Sequence, residues 1–339
     1  MGGFDIIGDV HGCASMLVER LIGMGYTRRG GEGAFSHPVY HAVFVGDLID
    51  RGPQQLETLQ LVKAMVDAGS ASIVMGNHEF NAVAYATEHP ELPGYFLRPH
   101  TAKNTRQHQA FLDQLTPSQQ RYYIDWFRTW PLWLTLPHPT DSGAVGSARV
   151  VHACWHEESL RTVENACDGQ NRINTTDQWI LANDRESALY HAVEVLLKGP
   201  ELDLRPYGID EFRDKDGHPR QRARLCWWKQ TTTRLSELTE LGDHASVGQG
   251  VDVSDDDLSY LYRGNVPVFY GHYWRQNTPV HSDDFTDYTA CVDFSAVISR
   301  KPVDGAGPPT LVAYRWDGEK TIDEQHYIPH GSAHRADIR

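Results

Sequence analysis

Three short apolar runs near the start of the chain, FDII at 4–7, YHAVFV at 40–45 and ASIVM at 71–75, each end in glycine followed by aspartate or asparagine. Runs of this length, rich in β-branched and aromatic residues, predict buried strands. A polar residue just after each predicts side chains gathered in the loops at the strands' carboxyl ends. Between the runs, ASMLVERLIGMG (14–25) puts Met16, Leu17, Leu21 and Met24 on one helical face, and QQLETLQLVKAMVDAG reads as a helix that starts after Pro53 and stops at Gly69. Alternating strand, loop and helix implies an α/β chain with an open sheet and a site at the carboxyl ends of its strands.

Further along, residues 101–128 read as helical, with Thr116-Pro117 as a start signal, and WPLWLTLPHP reads as an extended connector. ARVVHAC (148–154) is a predicted strand that ends in a histidine. The stretch 156–265 changes character: helical patterns at 156–166 and 177–197, a loop near 199–209 and a hairpin signal at Asp216-Gly217. It is read as a mostly helical lid or insertion within one domain spanning 1–325. VPVFYGH (266–272), TACVDFSAV (289–297) and TLVAYRW (310–316) are expected to complete a second sheet, and the polar tail past about 325 to fray.

Composition narrows the partners. Asp plus Glu number 45 against 31 Lys plus Arg, a formal charge of -14, which repels nucleic acid and acidic membranes. No stable nucleic-acid complex and no membrane association are expected, whereas a local cation could still hold a small anion. Cys13, Cys154, Cys167, Cys226 and Cys291 form no CxxC pair, which argues against a disulfide framework or thiolate zinc and fits a reducing, cytoplasmic setting. The apolar runs are only strand length, and Met1 leads almost directly into a strand rather than a signal segment. Most of the 18 histidines lie in polar stretches and are expected on the surface.

The polar residues at predicted strand ends form one group: Asp9 and His11 in GDVHG, Asp47, Asp50 and Arg51 in GDLIDRG, Asn77 and His78 in GNHE, His152 in VVHAC, and His272 in YGHYW. Asp9 and His11, two apart in extended backbone, point the same way and can hold one cation. Asp47 can bridge to a second cation that also takes Asn77, His152 and His272. Mixed carboxylate, imidazole and amide donors suit Mn, Fe, Zn or Ni more than an all-oxygen Ca or Mg cage. Two buried aspartates side by side need such charge, and two divalent ions about 3.5–4 Å apart are the usual clamp for displacement at phosphorus. Asp50 can then orient His78 as a general acid for the leaving oxygen, and Arg51 offers a planar fork to phosphoryl oxygens.

Each reading has an ordinary alternative: capped turns for the strand-end residues, satisfied core histidines for His152 and His272, a salt bridge to Asp50 for Arg51. Asn77, Trp155 and Trp274 are candidates for contacting substrate, the two tryptophans having core packing as the competing reading. His156 and Asp293 could support ligand imidazoles. Cys13 and Cys154 are either oxidation-sensitive or buried spacers.

GDVHG, GDLIDRG and GNHE, in this order and with single later histidines, resemble the metallophosphoesterases of the phosphoprotein phosphatase superfamily, which includes Ser/Thr protein phosphatases and bacterial diadenosine tetraphosphatases and polynucleotide phosphatases. The likeness is close over 4–80 and thins afterwards. His152 is followed by Ala153-Cys154-Trp155 where the family commonly has two glycines, and the last block is GHYW where the family often has GHT or AHE. The resemblance implies a calcineurin-like α/β fold, a two-sheet β-sandwich flanked by helices. It implies two divalent metal ions, usually manganese, and direct attack on phosphorus by a metal-bridging hydroxide. The expected activity is hydrolysis of phosphate monoesters, on a phosphoprotein or a small molecule such as a nucleotide. Symmetrical cleavage of a dinucleoside tetraphosphate is the alternative, with Arg172, Arg185 or the arginines at 213, 220, 222 and 224 as a second anion pocket. A non-catalytic metal-binding regulatory module is the alternative of another class.

Overall fold

In the computed structural model, Gly3–Ile7 (β1), Tyr40–Phe44 (β2) and Ala71–Ile73 (β3) are parallel neighbours, as their apolar runs predict. Residues 2–28, 33–139, 147–213, 218–241, 250–275, 279–297 and 310–328 are described. Ala14–Gly23 (α1) and Gln55–Asp67 (α2) return the chain between these strands. Leu17, Leu21, Leu59, Val62 and Met65 share a core with Ala42 and Phe44, so this face of the sheet is covered by helix. The other faces of β1 and β2, through Phe4, Ile6 and Val43, enter a second core. A sheet buried on both sides explains why its strands read as continuous apolar runs rather than alternating ones.

Asn77–Ala86 (α3) begins directly after β3. The helical stretch predicted over 101–128 is three helices, Ala102–Gln107 (α4), Gln109–Gln114 (α5) and Pro117–Phe127 (α6). The last starts at the predicted signal: Thr116 accepts the Gln119 N–H and Gln119 reaches back. Trp133–Leu136 (β4), expected as a connector, is an edge strand antiparallel to Ala148–Val151 (β5).

Glu157–Ala166 (α7), Thr176–Asn183 (α8) and Ala188–Lys198 (α9) follow β5. Their Leu160, Val163, Leu196 and Leu197 share the first core with Val151 and Ala153. Beyond them, Glu201–Asp203 pairs with Arg222–Arg224, and Phe212–Arg213 with Pro219–Arg220, over a small core of Leu202, Leu204, Leu225, Leu235, Leu238 and Leu261. Asp216-Gly217, the expected hairpin turn, lies outside the described residues, although the Phe212–Arg213 and Pro219–Arg220 ladder flanks it.

The second sheet continues with Val268–Tyr270 (β6), Phe285–Thr286 (β7) and Thr289–Cys291 (β8), in the order β7-β8-β6-β5-β4, with β6 parallel to both β5 and β8. The last expected strand of this sheet belongs instead to the first one. Ala313–Trp316 (β9) pairs antiparallel with β1 and in turn with Tyr327–Ile328 (β10), giving the order β10-β9-β1-β2-β3. The register explains the preference: Arg315 lies across from Asp5 and its Nε and Nη2 donate to Asp5 Oδ1 and Oδ2 at 2.8 and 2.9 Å. Asp5 is fully buried and has this guanidinium as its neutralising fork. Residues 327–328, expected to fray, are a paired edge strand, and residues past 328 lie outside the described residues. The two sheets face each other through Phe4, Ile6, Val43, Val150, Phe269 and Val292, which makes the two-sheet sandwich.

Candidate metal centre

The carboxyl ends of β1, β2, β3, β5 and β6 lead directly into Asp9, Asp47, Asn77, His152 and His272. Parallel pairing within each sheet puts these loops at one edge of the sandwich. The backbone is forced to turn hard there. Nine non-glycine residues among those described have φ in the left-handed region, and six of them are His11, Asp47, Asp50, Arg51, His272 and Trp274. Such conformations cost about 1–3 kcal/mol each and collect where geometry is dictated by function. Two glycines make room for carboxylates: a Cβ on Gly76 would lie 2.2 Å from Asp47 Oδ1, and one on Gly271 would lie 2.2 Å from Asp9 Oδ1.

Asp47 Oδ2 is the hub. It lies 3.5 Å from His152 Nε2, 3.7 Å from His11 Nε2 and 3.9 Å from His78 Nε2. Asn77 Oδ1 completes one side, 3.1 Å from His152 Nε2 and 2.8 Å from His272 Nδ1. Two trios have donor atoms close enough to share an ion: Asp47, His152 and His272, and His11, Asp47 and His78. Asp9 belongs to neither trio; its Oδ2 accepts the His272 backbone N–H at 3.2 Å.

These donors fit divalent cations. His11 and His152 give Nδ1–H to the carbonyls of Ile49 and Val45, at 2.8 and 2.7 Å, which leaves each Nε2 lone pair facing Asp47. His11 Nε2 and Asp9 Oδ1 are buried without a hydrogen-bonding partner among the described residues, a costly state that a bound cation relieves. Burial, reinforced by Asp293 and Asp47, pushes Asp9 well above the usual carboxylate range. Burial also holds His11 and His272 well below the usual imidazole range, in the neutral form a metal takes. For Asp47 burial acts upward, but His152, His78 and His11 outweigh it and keep the carboxylate ionised.

Asp50 is fully buried between two imidazoles. His78 Nδ1 donates to its Oδ2 at 2.6 Å and His108 Nδ1 to its Oδ1 at 2.8 Å. Burial raises this carboxyl, yet His108 and then His78 outweigh burial and hold it at about 2. Arg51 is exposed, with its guanidinium over the Trp274 ring and Nη2 3.3 Å from His78 Nε2. With Nδ1–H committed to Asp50, the Nε2 of His78 accepts that bond and faces the centre.

Glu79 and His108 carry roles that the sequence reading did not assign. Glu79 is fully buried and accepts the backbone N–H groups of Asp47, Leu48, Ile49 and Gly76 at 2.8–3.2 Å. An acid at the third position of a helix was a legible capping signal. His108, in a polar helical stretch, had no local signal. Of the two proposed supports, Asp293 accepts the N–H groups of Trp274 and Ser295, whereas His156 contacts Ser159 and Tyr260. Trp155, offered as a pocket wall, is 4% exposed in the core. Its indole N–H goes to Glu157 and Arg149 lies over its ring, as the core-packing alternative has it. Cys154 is buried and Cys13 half-buried, and burial raises both thiols, which opposes thiolate formation. Arg172, Arg185, Arg213, Arg220 and Arg222 are exposed. Arg224 is the arginine of that set that reaches the centre's rim, 5.8 Å from the Tyr273 ring and close enough for its charge to lower His272.

The sequence profile of the calcineurin-like phosphoesterases matches residues 3–276, and the chain belongs to this family of phosphoester hydrolases. An asymmetrical bis(5'-nucleosyl)-tetraphosphatase PrpE of Halalkalibacterium halodurans is 49% identical over 76 residues, 22% of this chain and 30% of that one. A symmetrical bis(5'-nucleosyl)-tetraphosphatase of Marinomonas sp. is 24% identical over 175 residues, 51% of this chain and 54% of that one. The chain thus spans about a third to a half of these relatives' lengths. A solved protein serine/threonine phosphatase of Saccharomyces cerevisiae with similarity to human phosphatase PP5 superposes with a TM-score of 0.45 and 13% identity, over 96% of this chain and 78% of that one. No helix among the described residues is long and apolar enough to cross a membrane.

Proposed function

We propose that the chain hydrolyses phosphate monoesters with two divalent cations, one held by Asp9, His11 and Asp47 and the other by Asp47, Asn77, His152 and His272. When bound, such ions, manganese in our reading, would offset the carboxylate and phosphoryl charge and make a water acidic enough to serve as nucleophile near neutral pH. Arg51 binds two phosphoryl oxygens through its fork, with Trp274 beneath it, and Asn77 contacts the substrate from the His152–His272 side. Once it also carries a proton at Nε2, with the Arg51 fork turned to the phosphoryl oxygens, His78 hands that proton to the ester oxygen as the P–O bond breaks, while Asp50 keeps Nδ1 occupied and the ring oriented. The observation that carries this reading is Asp47 Oδ2, within 3.5–3.9 Å of imidazole nitrogens from three separate segments, those of His11, His78 and His152. The unpaired cysteines fit a cytoplasmic enzyme.

Cleavage of a dinucleoside tetraphosphate is the second reading. It is favoured by Arg224, a second guanidinium on the His272 side of the centre, and by the names of the relatives. One panel separates the readings: p-nitrophenyl phosphate, its bis-ester, a set of phosphopeptides and diadenosine tetraphosphate, each with added Mn²⁺. Monoester turnover well above the others supports the first reading, and a preference for the tetraphosphate supports the second. Metal uptake with no turnover of any of them would leave a regulatory metal-binding module.

A further inference from the structure

We infer that His108 is a positioning residue for the proton donor: by giving Nδ1–H to Asp50 Oδ1, it fixes the carboxylate so that Oδ2 faces His78. This inference rests on the proposed acid role of His78. A carboxylate held by one donor still turns about its last bond, whose torsion is broad. Here the second oxygen is taken by a donor from a different element, at 2.8 Å against 2.6 Å for His78. Backbone motion of Asp50 is blocked as well, because its N–H goes to Gln55 Oε1 at 2.7 Å and its carbonyl accepts Gln55 Nε2 at 3.1 Å.

His108 is itself held rigid. It sits at the break between α4 and α5, with φ -101° and ψ 5°. Its ring stacks on Phe111 at 4.7 Å and 18° and meets Tyr85 edge-on at 5.6 Å, and the residue is 6% exposed. A buried histidine with this support and one carboxylate partner on the acid's far side does what an orienting group does: it narrows the angles at which His78 can point Nε2.

The test uses the manganese-loaded full chain with phenyl phosphate, whose leaving group needs protonation, and p-nitrophenyl phosphate, whose leaving group needs it far less. His108→Phe keeps the ring stack and removes the N–H; His108→Asn keeps a donor at the Nδ1 position. For His108→Phe the expected result is a kcat on phenyl phosphate that falls roughly tenfold more than on p-nitrophenyl phosphate, with KM and metal content kept. His108→Asn should recover most of that loss. Equal losses on both esters, or an Asn variant no better than Phe, overturns the inference. If His108→Phe melts below the assay temperature, His108→Asn against His108→Gln makes the same comparison, since the Gln amide nitrogen lies one carbon too far out. His78→Asn serves as the reference. If it shows no selectivity between the esters, the acid reading itself fails; if it is selective and His108→Phe is not, the positioning role alone is lost.

Discussion

The Arg51 guanidinium carbon lies 4.0 Å from the centroid of the Trp274 ring, while its Nη2 reaches to 3.3 Å from His78 Nε2. An exposed arginine has many rotamers to lose on binding an anion, and the indole removes part of that freedom in advance. Trp274→Ala is therefore expected to raise KM for a phosphate monoester roughly five- to thirtyfold, the equivalent of about 1–2 kcal/mol of cation–π contact. The kcat should change little. A steady-state comparison in which kcat falls and KM holds would place Trp274 in the chemistry instead.

Asp47 is shared by both donor groups, whereas His11 and His152 each belong to one. Elemental analysis of manganese-replete protein should find two ions per chain. His11→Asn and His152→Asn should each lose about one, and Asp47→Asn most of both. His78 lies as close to Asp47 as a ligand would, at 3.9 Å, yet its other nitrogen is bonded to Asp50. His78→Asn is expected to keep both ions and lose turnover by about two orders of magnitude or more. Loss of an ion in that variant would make His78 a ligand rather than an acid.

The loop that carries Asp47 hangs on one carboxylate. Glu79 accepts four backbone N–H groups, from Asp47, Leu48, Ile49 and Gly76. Removing it leaves those buried donors without a partner, so Glu79→Ala should destabilise the chelator-treated protein by about 3 kcal/mol or more. Glu79→Gln, which keeps one acceptor oxygen, should fall between. Urea unfolding in excess chelator reads this without the contribution of metal release.

Much of this site was legible because its residues obey a local rule: each ligand candidate follows an apolar strand, and parallel strands deliver their ends to one edge. Asp9, His11, Asp47, Asn77, His152 and His272 could be gathered from that rule alone, and the family's three motifs reinforced it. His108 could not, since its partner is 58 positions away in sequence and nothing in NTRQHQAF marks one histidine as buried. The sheet assignment of β9 failed for a related reason. Asp5 and Arg315 choose the register, and the pair is visible only after the chain ends are side by side. The prolines flanking Trp133–Leu136 suggest a connector, yet edge strands tolerate prolines at their ends.

Glu319 and His326 tie the last described segment to β9 and give a stability effect remote from the metal centre. His326 Nδ1 lies 3.2 Å from Glu319 Oε1 and 2.8 Å from the Arg315 carbonyl. The hydrogen bond to Glu319 raises the imidazole to about 9 despite the opposing effect of burial, and the Glu319 charge adds to it. The unfolded value is about 6.5, so the folded state binds the proton more tightly. The resulting stability is fully present below about pH 6.5 and is lost as pH rises through about 9. With the imidazole 30% exposed, solvent screening reduces the effect to about 1–2 kcal/mol. The matching downward shift of Glu319 reflects the same contact and is not added to it. The unfolding midpoint in denaturant should therefore drop more between pH 6.5 and 9 for the natural chain than for His326→Asn. Parallel curves for the two proteins would show that this pair contributes nothing to folding.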